Sequence, residues 1–111
     1  MSPAEARKAF DEELNKLQED LANMGAVVEN MLGKAIQALA DQDVGLADET
    51  IKMDDIVDRY NLDIESRALR LLALQQPMAR DLRTIAAAMK IITDVERGGD
   101  YAVDIALMAK K

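Results

Sequence analysis

A chain of 111 residues is enough for one domain and too short for two ordinary ones. Half of its residues are apolar but only Phe10, Tyr60 and Tyr101 are aromatic, so a core must be built from Leu, Ile, Val, Met and Ala, which suits long helices packed at close range. The absence of Cys and His excludes disulfides, thiolate zinc sites and imidazole ligation, and a net charge of −7 opposes binding to nucleic acid or anionic membranes.

The first residues lead straight into charged sequence with no apolar segment of the signal-peptide kind, and no apolar run reaches the ~20 residues that cross a bilayer. The expectation is a soluble, cytoplasmic chain. Pro3 sits where a first helix starts, with Ser2 before it as N-cap. Phe10, Leu14, Leu17, Leu21, Met24, Val28, Met31, Ala35 and Ala38 then recur at alternating spacings of four and three, an unbroken heptad seam that predicts a helix over 3–40. Gly25 and Gly33 inside it suggest close backbone contacts.

Asp43 caps a second predicted helix over 44–74. Its apolar face holds Met53, Val57, Tyr60, Ile64, Ala68 and Leu71, and along one flank run Asp54, Asp58, Asn61 and Glu65. Gln75-Gln76-Pro77 ends that helix, and Pro77 opens a third over 77–109. Two short connections make neighbouring helices antiparallel. The expected fold is an all-α, up-down-up three-helix bundle forming a single domain over 1–111.

In the third helix Met78, Leu82, Ile85, Met89, Ile92, Val103 and Leu107 form one apolar band, and Glu96 and Asp100 fall inside it. A carboxylate on a core-facing stripe loses hydration, at a cost of several kcal/mol unless something compensates. Counting both ways from the turn at Gln76 places Glu96 and Asp100 level with Asp58 and Asp54, with Val28 and Glu29 of the first helix passing nearby. Four carboxylates converging on one patch raise each other's pKa or recruit a hard cation such as magnesium, calcium, manganese or oxidised iron. The competing reading is structural: acids at helical spacing are common in an acidic protein, and Arg97 or Lys52 would neutralise the patch by pairing.

Arg80, Arg83, Lys90 and Arg97 collect on a separate face of the third helix, as a solvated stripe or a contact for phosphate or an acidic partner. Met24, Met31, Met78 and Met89 read as core filler. Ser66 has no base near it and no phosphate-binding glycine loop is present, so no enzyme is expected.

The run Gln75-Gln76-Pro77-Met78-Ala79-Arg80-Asp81-Leu82-Arg83, followed by Lys90-Ile91-Ile92-Thr93-Asp94-Val95-Glu96-Arg97-Gly98-Gly99-Asp100-Tyr101-Ala102, resembles the PhoU family. Residues 10–14, Met24-Gly25, the turn at 43–47 and the segment 54–58 agree with it. The resemblance implies two tandem three-helix repeats, of which this chain looks like the N-terminal half or a single-repeat relative. It implies multinuclear iron or another hard metal on Asp54, Asp58, Glu96 and Asp100. Asn61, Glu65, Arg80, Asp81, Arg83 and Arg97 are the further candidates for supporting or partner contacts. It implies as partners the ATPase of the phosphate ABC transporter and the sensor histidine kinase of the phosphate regulon, reached from the cytoplasmic side of the inner membrane. The implied role is negative regulation of phosphate uptake and regulon expression. From the resemblance an acid is expected where Asn61 stands. A single repeat would expose the surface that packs on its twin, so a homodimer is expected. A structural three-helix spacer without a metal site is the alternative.

Overall fold

The computed structural model describes residues 2–74 and 78–111. Three helices follow in order, α1 (Pro3–Asp41), α2 (Val44–Leu74) and α3 (Ala79–Ala109), and each packs against both of the others in an up-down-up bundle 59 × 19 × 16 Å. The caps explain the boundaries. The Ser2 hydroxyl accepts the Glu5 N–H at 3.1 Å, satisfying a donor that the first turn leaves open. At the far end Gln42 takes the left-handed conformation, φ 52°, and the Asp43 N–H returns to the Ala38 carbonyl at 2.9 Å. Asp43 Oδ1 then accepts the Leu46 N–H at 3.0 Å and starts α2. The chain reverses within two residues, which leaves α2 no course but antiparallel to α1.

The third helix starts at Ala79, with Met78 as its N-cap. Met78 stays extended, and its N–H is accepted by Asp81 Oδ2 at 2.9 Å, so a side chain three residues on fixes the start. The expectations for Gln75, Gln76 and Pro77 lie outside the described residues.

The α1 seam is as the sequence predicts: all nine residues from Phe10 to Ala38 are buried. Fully burying a side chain such as Leu17, Met24 or Met31 stabilises by roughly 1.5–3 kcal/mol relative to leaving it in water. The other two seams differ from expectation. In α3 the buried positions are Asp81, Ile85, Ala88, Ile92, Gly99, Ala102, Ala106 and Ala109, with Val95 half-buried between them, a heptad set one residue round from most of the expected band. Met78, Leu82 and Leu107 are exposed, while Met89 and Val103 are half-buried flanks. Small residues take the axis because they let α3 approach the other backbones closely, and the larger side chains then fit only beside it.

In α2 the seam runs Ala47, Thr50, Asp54, Val57, Asn61, Ile64, Ala68 and Leu71, with Met53 and Tyr60 half-buried beside it. Thr50 is buried because its hydroxyl donates to the Leu46 carbonyl at 2.8 Å. Gly25 and Gly33 have no neighbour within 4 Å of an added methyl, so the close contacts expected there are absent. Ion pairs tie the flanks together. Arg67 Nη1 donates to Asp20 at 2.6 Å and to Asp63 at 2.7 Å, Lys34 meets Glu49 at 2.5 Å, and Lys110 meets Asp48 at 2.6 Å.

Candidate functional site

The antiparallel order sets Gly99 of α3 against Asp54 and Val57 of α2 and Val28 of α1, so the height deduced by counting from the turn is the height in the fold. Asp54 occupies a seam position and is half-buried, and its Oδ1 is closed off from solvent with no hydrogen-bond partner. A carboxylate oxygen in that position has lost its water and gained nothing in return. Burial is the first cause of its raised pKa, followed by the charges of Asp58, Asp100 and Asp55.

Glu96 is half-buried across the interface. Its pKa is raised by burial first, then by Asp100, Asp58, Asp54 and Glu65. Asp54, Asp58 and Glu65 of α2 and Glu96 and Asp100 of α3 thus form one electrostatic group. Asp58, Glu65 and Asp100 are exposed, so Asp100 is on the rim rather than in the middle of a buried band. Asn61, one turn from Asp58, is half-buried in the α2 seam and brings no charge.

Among the described residues no ion pair reaches Asp54, Asp58, Glu65, Glu96 or Asp100, so the neutralisation that Arg97 or Lys52 would supply is not present. Nor do any three carboxylates stand close enough together among the described residues to hold a metal ion as arranged. The donor set is all oxygen and carries an orphaned buried oxygen, which fits a hard cation. The acids feel one another's charge without being drawn to a common centre.

The remaining site expectations separate cleanly. Arg80, Arg83 and Arg97 are exposed on α3 and form no ion pair with the patch among the described residues, and Lys90 approaches Asp94 at 4.0 Å. Asp81 is withdrawn from the surface: Arg7 donates to both of its oxygens, at 2.7 and 2.9 Å, while Oδ2 also holds the Met78 N–H. The Arg7 hydrogen bonds lead the causes that lower the Asp81 pKa to about 2. Arg7 also lies over the Phe10 ring at 5.2 Å and reaches Asp11 at 3.0 Å. Asp81 is therefore an anchor between α1 and the start of α3. An acid in the first turn of a helix was the legible half of that anchor; Arg7, 74 residues away, was not.

A description of the PhoU domain matches residues 21–109, which include every acid of the patch. The chain belongs to the PhoU domain family. It is 44% identical over 106 residues to the phosphate-specific transport system accessory protein PhoU homologue of Clostridium acetobutylicum, covering 95% of this chain and 48% of that protein. With the PhoU homologue of Aquifex aeolicus it shares 46% identity over 94 residues, 85% of this chain and 42% of the other. The Rhizobium meliloti PhoU homologue is 39% identical over 106 residues, 96% of this chain and 45% of its own length. The chain thus spans a little under half the length of these PhoU relatives. No described helix is long and apolar enough to cross a membrane.

Proposed function

We propose that this chain is a non-enzymatic regulatory module of phosphate uptake and phosphate-regulon signalling, a protein-docking adaptor whose α2–α3 patch takes hard metal ions. The observation that carries the metal reading is the uncompensated state of Asp54 and Glu96, two acids partly withdrawn from water, facing three more acids and no paired cation. Asp54, Asp58, Glu96 and Asp100 would hold the ion, iron or alternatively manganese or magnesium, with Asn61 and Glu65 beside them. A bound cation supplies positive charge where folding has concentrated negative charge. Water or modest side-chain rotation would complete the coordination shell.

The names of the relatives support the regulatory assignment, since they are accessory proteins of phosphate-specific transport. The partners that fit this role are the transporter ATPase and the sensor kinase, met in the cytoplasm at the inner membrane. Exposed Leu62 and Leu69 of α2 and Leu82 of α3 leave apolar surface beyond the acids, which supports self-association as a homodimer. The lack of three convergent acids among the described residues favours the rival reading, a structural spacer without a metal.

One experiment separates them. Metal content is measured after loading with iron, manganese and magnesium and gel filtration, for wild type and for Glu96→Gln/Asp100→Asn, with light scattering on the same fractions. Retention of about one or more ions per chain that the variant loses, with a dimeric mass at high micromolar concentration, is the expected result. No retention by wild type sinks the metal reading, and a monomeric mass sinks the dimer.

A further inference from the structure

None of the five glycines has a positive φ, so none is required by its backbone conformation. A glycine inside a helix is nevertheless less favourable than alanine, and two of them stand together in the middle of α3. Their surroundings differ. A methyl built at Gly98 would meet Val28 Cγ1 at 3.0 Å, an apolar wall. A methyl built at Gly99 would meet Asp54 Oδ1 at 3.3 Å and Val57 Cγ1 at 3.4 Å. Gly99 is itself buried, and the oxygen it faces is the one that accepts no hydrogen bond.

We infer that Gly99 is a positioning residue for the Asp54 carboxylate: the space left by its missing side chain is the niche that seats Oδ1 against α3 and so sets how Asp54 faces the patch. A methyl in that niche makes its neighbour give by a few tenths of an ångström. Val57 is buried and β-branched, so it holds its place, and the half-exposed carboxylate is the group that yields. It then loses its seat against α3. The seating stands on packing alone; its consequence for cation binding rests on the metal reading proposed above. A group that orients a ligand without touching the ion changes affinity by about 10–100-fold when it is altered.

The test uses Mn²⁺ alone, titrated calorimetrically into wild type, Gly99→Ala and Gly98→Ala, with thermal melts of the metal-free proteins. The melts include a double-mutant cycle with Asp54→Ala. The expected outcome is at least about tenfold weaker Mn²⁺ binding for Gly99→Ala and unchanged affinity for Gly98→Ala. The melting temperatures of Gly99→Ala and Asp54→Ala should be non-additive, and those of Gly98→Ala and Asp54→Ala additive. Unchanged Mn²⁺ affinity in Gly99→Ala, or additive melting with Asp54→Ala, overturns the inference. If wild type takes up no Mn²⁺, the metal reading fails by itself and the cycle still decides the seating. If Gly99→Ala does not fold, recovery of folding in the Asp54→Ala background upholds the inference and lack of recovery overturns it.

Discussion

Asp81 and the Asp54–Glu96 pair are withdrawn from water in opposite ways. At the end where α3 begins, Asp81 is surrounded by donors: both oxygens face Arg7 and one also holds a backbone N–H. At mid-height, Asp54 and Glu96 face other acids, and Asp54 Oδ1 has no partner at all. The same chemical group is thus an anchor in one place and a source of strain in the other. A buried carboxylate stabilises a fold only when its surroundings replace what water gave it. The uncompensated place is where an external cation has something to gain.

The contrast can be broken most forcefully at its stabilising end. Asp81→Ala removes the anion beside Arg7 and the acceptor for Met78, and the melting temperature followed by circular dichroism should fall by roughly 5–10 °C. A double-mutant cycle with Arg7→Ala should show strong coupling; additivity would mean that the pair anchors nothing. A smaller change of opposite sign is expected at mid-height. In metal-free protein at neutral pH, Asp54→Asn and Glu96→Gln should each raise the melting temperature by roughly 2–5 °C. A loss of stability there would show that these acids are compensated after all.

The gentlest probe is pH, and the two places respond with opposite slopes. Asp54 and Glu96 carry pKa values raised above the usual 3.8 and 4.5, so the folded chain holds protons that the unfolded chain has released. Stability therefore rises as pH falls from neutral through that range. Asp81, lowered from 3.8 to about 2, adds stability that is complete above its unfolded value and lost as pH falls through about 2. Chemical denaturation across pH should show stability rising as pH falls from neutral and falling again towards about pH 2, and Asp54→Asn/Glu96→Gln should flatten the neutral side alone. A profile that peaks at neutral pH would contradict the assignment.

The α1 seam was legible because every core position in it carries a residue that is apolar by composition and spaced by four and three. The axis of α3 was not, because Ala88, Gly99, Ala102, Ala106 and Ala109 weigh little on any hydrophobic count. The heavier Leu82, Met89 and Leu107 drew the axis one residue round, a shift of roughly 100°. The same spacing of four and three among small residues was the available signal. Asp54 and Asn61 were placed on a flank of α2, beside its apolar face, although they lie in its heptad seam. Even so, the level at which Asp54 meets the Glu96–Asp100 segment was correct, because height along antiparallel helices depends on counting rather than on facing. What counting could not supply was the direction each carboxylate turns. For Asp54 that depends on the room beside Gly99, a contact between residues from different helices.

The three seams, stepping by four and three residues in α1, α2 and α3 alike, also have a mechanical meaning. A repeat of seven averages about 3.5 residues per turn against about 3.6 for a free helix, so the helices must wind around one another with a left-handed sense. None of the three is interrupted along its length. A torque applied at one tip has no joint in which to dissipate and is shared by three wound strands. The protein is in this respect a short length of rope, 59 Å long, with its acids set midway along the lay.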